Sequence, residues 1–262
     1  MSTFFIGGSQ RSGSAILQEL LCRDPTCHSL ADAGYLRMLL EAYRGGKREF
    51  DGGSRACFGS ALAYRRFNAE TVRRFLDTCA SRRPNQRHLL FSDPGLTAHF
   101  PEIYELIPDA RFILIVRDPR DLIAGLIEPD ETLSDAGVSH IFQRRRIRPL
   151  CQYVRSYYQP TLRCELYGFR QRLSVLRYED LVRKPQAILA QLKAFTGLEL
   201  DPPPDSRPQA APASLAMASG GGRVLETGSA DTVGRYRHVL SRREASAIAV
   251  ELHEFFVTFG YA

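Results

Sequence analysis

Short apolar runs rich in β-formers recur along the chain as TFFIG (3–7), HLLFS (88–92), RFILIV (111–116) and LSVLRY (173–178), with helical patterns between them. Strands that alternate with helices predict a parallel sheet covered on both faces. Asn68 is placed to cap a helix carrying Val72, Phe75, Leu76 and Cys79 on one stripe. Pro185 opens another, with Ile188, Leu189, Leu192 and Phe195 facing inward before Gly197 stops it. The run SRRE (241–244) has capping-box spacing and leads into a final amphipathic helix bearing Ile248, Leu252, Phe255 and Phe259. Between residues 201 and 212 stand five prolines, and SGGGR follows at 219–223, which predicts a long irregular connection. Segment 129–170 is expected to be a helical insertion.

At 262 residues, the expectation is one α/β domain spanning 1–262. The net charge is +6 and the pI about 9.1. Only Lys47, Lys184 and Lys193 are lysines, so the positive charge is almost wholly guanidinium, the group suited to planar recognition of phosphate and sulfate. Most of these arginines are expected on solvated faces. The six cysteines include no C-x-x-C pair and are expected to be reduced residues in or near the core of a cytoplasmic protein, without a zinc site. No charged leader precedes the first strand and no run is long enough for a membrane span, so a soluble, unanchored protein is expected.

The stretch GGSQRSGSA (7–15) follows the first strand and leads into a helix through Leu17, Leu20 and Leu21. Gly8 and Gly13 have the spacing of the phosphate loop G-x-x-x-x-G-K-[ST], yet Ser14 and Ala15 stand where the lysine and the magnesium-binding hydroxyl belong. Backbone amides from Ser12 to Ala15 at a helix start favour an anion. A nucleoside triphosphate would lose both its cation and its metal ligand, whereas Arg11 offers a fixed positive charge. A donor that needs no metal fits better.

At QRSGSAIL the loop resembles the 5'-phosphosulfate loop of sulfotransferases that use 3'-phosphoadenosine 5'-phosphosulfate, in particular the branch related to tyrosylprotein sulfotransferases. PDARFILIVRDPRDLIAGLI (108–127) is similar to that family's strand and 3'-phosphate loop. VLRYEDLVRKPQAILAQLKAFTGL (175–198) and TVGRYRHVLS (232–241) are similar to its YED and late G-R-W-R segments. The resemblance implies a P-loop-like parallel central sheet flanked by helices, with helical insertions on the acceptor side. It implies that Arg11 contacts the sulfuryl group, that the amides of Ser12, Gly13, Ser14 and Ala15 hold the 5'-phosphate, and that Arg117 binds the 3'-phosphate. Tyr178 would pack near that phosphate, and Arg235 would close from the late loop. Asp32 stands where the family commonly has a glutamate base, with His28 and His140 as fallbacks.

Two departures from the family pattern bear on activity. Ser92 replaces a lysine at the end of the second predicted strand, and Gly125 replaces a serine in the 3'-phosphate segment. Arg87, Arg120, Arg144, Arg145, Arg146 and Arg148 are candidates for the missing cation. Tyr35, Tyr153 and Tyr157 are candidates for an aromatic wall around a hydroxyl acceptor, whether small molecule or peptide. A catalytically silent nucleotide-binding relative and a divergent P-loop kinase are the alternative readings. RRRIR beside the tyrosines resembles a single-strand nucleic-acid surface only loosely, and no nucleic-acid or membrane partner is expected.

Overall fold

The computed structural model describes residues 2–30, 33–82, 85–128, 145–200 and 232–261. Its centre is a five-stranded, fully parallel sheet in the order β2-β3-β1-β4-β5: β1 (Ser2–Gly7), β2 (Cys27–Leu30), β3 (His88–Ser92), β4 (Arg111–Val116) and β5 (Leu173–Arg177). Four of these strands are the four apolar runs. The fifth, β2, was not expected, because CHSL is short, lies at the sheet edge and buries only Cys27 fully.

Among the described residues the ten longer α-helices are α1 (Ser14–Leu21), α2 (Gly34–Arg48), α3 (Ala61–Ser81), α4 (Phe100–Leu106), α5 (Pro119–Ile127), α6 (Ile147–Leu162), α7 (Tyr178–Arg183), α8 (Pro185–Thr196), α9 (Arg242–Glu251) and α10 (His253–Phe259). The strand period of two divides the core. Phe4, Ile6, Ile113 and Ile115 face α1 and α8, while Phe5, Phe91, Phe112 and Leu114 pack on the other side with α2, α4 and α6. Both faces are buried, so the strands carry nearly unbroken apolar runs.

Pro185 and Gly197 bound α8 as expected, with Gly197 at φ 76 in the left-handed region. The capping box is present in full, since Ser241 accepts from the Glu244 amide and Glu244 accepts from the Ser241 amide. Two helix expectations need correction. Ser60, and not Asn68, caps α3, because its side chain accepts from Ala63 N. Asn68 lies inside the helix and donates to the Tyr64 carbonyl. The final helix is two, α9 and α10, parted at Leu252. All six cysteines are free thiols. Among the described residues no helix is long and apolar enough to cross a membrane.

β1 lies between β3 and β4, so the chain leaves its carboxyl end at the point where the strand order reverses. Clefts for ligands form at such points in open parallel sheets.

Candidate active site

The loop after β1 turns on three left-handed or near-extended residues, Gly8 at φ 158, Arg11 at φ 66 and Gly13 at φ 94. Gly13 is the N-cap of α1 and supplies no side chain, so the first amides of the helix are left for an outside acceptor. A Cβ at Gly13 would stand 2.5 Å from Tyr178 Cδ2, which shows how closely the Tyr178 ring lies on the loop. The loop is pinned from two directions. Thr97 Oγ1 accepts from Gly8 N at 2.8 Å and donates to Gly8 O at 3.1 Å. Ser9 N donates to the Tyr158 hydroxyl at 3.0 Å, and burial pushes that phenol up to about 12.

Arg117 follows β4 and is only 8% exposed. Its Nη1 donates to the Arg11 carbonyl and its Nη2 to the Thr232 carbonyl, both at 2.8 Å, and its plane lies 4.3 Å over the Tyr178 ring. The Tyr178 and Thr232 hydroxyls are 2.6 Å apart. Arg117 Nε and Ser12 Oγ are buried with no hydrogen-bond partner. Buried donors of this kind are costly unless something occupies them. The structure therefore brings together Arg11, Ser12, Gly13, Arg117 and Tyr178 from three strand ends.

Gly125 sits against Arg11, where an added Cβ would meet Arg11 Cγ at 3.3 Å and Cβ at 3.4 Å. The glycine gives room to the arginine stem. Arg235, 55% exposed at its side chain, donates to Glu128 Oε1 at 2.7 Å. Ser14 and Ala15 open α1 as expected. Asp32, His140 and Arg144 lie outside the described residues, and His28 is in β2, in register with Leu89.

Most of the cation candidates are placed elsewhere. Arg87 precedes β3, at the opposite end of the sheet from the loop, so it cannot serve the site. Arg120 is held by Asp118 at 2.7 Å, Arg145 by Glu244 at 3.2 Å and Arg148 faces Glu251 at 3.8 Å. Arg146 is the N-cap residue of α6. The Arg145 and Arg148 contacts fasten the start of α6 to α9.

Sequence reasoning gave no role to Arg37, Asp93, Asp121 or Glu179, while Tyr35, Tyr153 and Tyr157 were expected at the acceptor wall. Asp93, directly after β3, accepts from Gly95 N at 2.8 Å, and an added Cβ at Gly95 would lie 2.7 Å from Arg37 Nη1. Arg37 and Asp93 thus flank the carboxyl end of β3. The Tyr153 and Tyr157 hydroxyls are 2.8 Å apart, and burial raises both phenols, with the charge of Asp93 also acting on Tyr157. Tyr35 instead packs its ring on Phe75. Asp121, 3% exposed, accepts from Gly234 N at 2.7 Å and Tyr236 N at 2.8 Å and so holds the late loop from below. Glu179 accepts from Asp118 N at 2.9 Å and the Tyr261 hydroxyl at 3.0 Å. The signal was present in the RDPRD and YED runs, but their acidic members are fastening groups.

An open parallel sheet with an uncapped helix start at its reversal point is the arrangement in which α/β proteins bind anions. Residues 3–202 match the sulfotransferase family model, and the chain belongs to that family. In structure it is similar to the sulfotransferase domain of the curacin biosynthetic pathway, at 17% identity and a TM-score of 0.61, over 96% of this chain and 97% of that one. The sulfotransferase domain of the Synechococcus PCC 7002 olefin synthase is similar at 19% identity and a TM-score of 0.57, over 100% and 95%. A Mycobacterium avium sulfotransferase follows at 16% and 0.53, over 98% and 76%. Among curated proteins no sequence match is found. These likenesses show the fold and do not bear on the tyrosylprotein branch.

Proposed function

We propose that the chain moves a sulfuryl group from 3'-phosphoadenosine 5'-phosphosulfate to a hydroxyl of a small molecule or peptide by in-line displacement, with no metal ion. The observation that carries this is the pair of buried, unpartnered donors, Arg117 Nε and Ser12 Oγ, beside an uncapped helix start in a chain of the sulfotransferase family. These groups fit the two anionic ends of such a donor, which supplies the activated sulfur and a stable bisphosphate leaving group.

Ser12, Gly13, Ser14 and Ala15 would hold the 5'-phosphate through the loop and first-turn amides. Arg117, with Tyr178 against its plane, would hold the 3'-phosphate, and Arg235 would reach it by exchanging its contact with Glu128. Arg11 stabilises the charge that gathers on the bridging oxygen, and Gly125 leaves its stem the room to do so. Arg37, beside the carboxyl end of β3, takes the part of the cation that Ser92 does not supply. The acceptor hydroxyl loses its proton to a carboxylate, Asp32 by the family pattern. Asp93 is the carboxylate that the described residues place at the end of β3. Tyr153 and Tyr157 form part of the acceptor wall. Positioning and preorganised charge account for the rate.

A labelled-sulfate transfer assay with phenolic, sugar, alcohol and tyrosyl-peptide acceptors tests this reading. Arg11→Ala is expected to lower the rate by roughly 10²–10³-fold. Asp32→Asn should depress the rate and spare nucleotide affinity, whereas the same outcome in Asp93→Asn would assign the base to β3. Binding of the bisphosphate with no transfer to any acceptor class would replace the enzyme by a silent relative.

A further inference from the structure

A second cleft opens beside the late loop and takes no part in the proposed transfer. It lies between the start of α5, the end of β5 with α7, and the Val233–Gly234 turn, and has a volume of about 160 Å³. Arg120, Arg177, Arg183 and Arg237 are among its lining residues, together with Asp118 and Glu179.

The charges do not cancel. Asp118 is taken up by Arg120 at 2.7 Å, and Arg120 also lies over the Tyr236 and Phe256 rings. Glu179 accepts from the Asp118 amide and the Tyr261 hydroxyl and stands 3.9 Å from Arg177 Nε. Arg177 lies 4.6 Å over the Tyr261 ring, and its Nε is buried with no hydrogen-bond partner. Arg183 and Arg237 are exposed, and among the described residues no carboxylate forms an ion pair with either. Arg183 and Arg237 therefore bring to one small cleft two positive charges that are unpaired among the described residues.

We propose that this cleft is a second oxyanion site, which takes inorganic sulfate, inorganic phosphate or the phosphate of a small monoester. Guanidinium forks match the paired oxygens of such anions. Arg117, the residue assigned to the 3'-phosphate, is not part of this wall, so the two sites differ. A bound anion would join Arg183 on α7 to Arg237 on the late loop, whose neighbours Gly234 and Tyr236 are already tied to Asp121.

The test is calorimetric titration of the full chain with sodium sulfate at an ionic strength held constant with sodium chloride. It is run alone and again with adenosine 3',5'-bisphosphate present in excess. With the bisphosphate in excess to fill the loop after β1, saturable one-site binding of sulfate is expected, weakened roughly tenfold or more in Arg183→Gln/Arg237→Gln. Both positions are exposed, so the variant is expected to fold, which its circular dichroism verifies. Parallel titrations with inorganic phosphate and glycerol phosphate tell a free-ion site from a monoester site. Absence of saturable binding, equal binding by the double variant, or loss of sulfate binding only when the bisphosphate is added would each overturn the proposal. If the bisphosphate fails to bind, the difference between the protein and the double variant in the sulfate-alone run still decides, so this inference and the donor assignment fail separately.

Discussion

Gly13 carries two constraints at once, a left-handed backbone at φ 94 and a tyrosine ring against its Cα. Gly13→Ala is therefore expected to cost about 1–3 kcal/mol of stability, read by denaturant unfolding, and to weaken binding of adenosine 3',5'-bisphosphate in calorimetry. An alanine variant with unchanged stability would mean that the ring can move off the loop at no cost. Gly125 acts through space of another kind. Restoring the family serine there would crowd the Arg11 stem at 3.3–3.4 Å, so Gly125→Ser is expected to lower kcat roughly tenfold with little change in nucleotide affinity. A faster serine variant would show that Gly125 is a lost donor and that its space does not serve Arg11. At this scale the sequence was informative where chemistry and chain order coincide. Arg11, Gly13, Arg117 and Tyr178 follow from ordered motifs and meet in the structure. Thr97 and Tyr158 were invisible, because their partners in the loop lie 89 and 149 residues away.

Among the elements, the loop after β1 is rigid because α6 and the 3₁₀ turn Pro94–His99 grip it. Tyr158→Phe removes the acceptor of the buried Ser9 amide and is expected to cost about 1–3 kcal/mol, with a parallel loss of nucleotide affinity. Unchanged unfolding would assign the loop's rigidity to Thr97 alone. The start of α9 is pH-sensitive. The Arg145 guanidinium, helped by Ser241, holds the Glu244 carboxyl down to about 2, below its unfolded value of 4.5. A depressed folded pKa contributes stability above the unfolded value and loses it as pH falls through the folded one. The stability difference between the protein and Glu244→Gln is thus expected to be full at pH 7 and to shrink from about pH 4.5 to about pH 2. The pair is partly exposed, so the difference is small, and added salt should reduce it. A difference that grew on acidification would contradict the assignment.

The same scale shows why some elements could be read and others could not. Pro185, Gly197 and the Ser241–Glu244 box announce their helices because caps act locally. β2 has no such signal, since a half-exposed edge strand needs neither alternation nor a long apolar run. The start of α3 was misplaced by two turns because its early residues Leu62 and Phe67 are exposed and blur the inward stripe. Asn68 then had the chemistry of a cap without its position.

Across the whole molecule, three strand ends deliver the loop, the Arg117 turn and Tyr178 to one place, and the late loop closes over them through Thr232. The sheet's order was not legible, because strand neighbours are set by connections that no local pattern records. The family was legible, because its motifs kept their order along the chain, and the family match over residues 3–202 spans the first three of the four. Of the arginines considered for the missing lysine, Arg87 lies at the opposite end of the sheet from the loop, and Arg120, Arg145 and Arg148 face carboxylates. Arg37, the cation proposed here, has no signal in the sequence, because only α2 packing brings it to Gly95.

The central claim is that this cradle grips a bisphosphate nucleotide without a metal. Calorimetric titration with adenosine 3',5'-bisphosphate in the presence of a chelator tests it most directly. The account predicts saturable binding to one site that Arg117→Ala weakens by roughly 10- to 100-fold. No bisphosphate binding, together with magnesium-dependent binding of ATP, would contradict it.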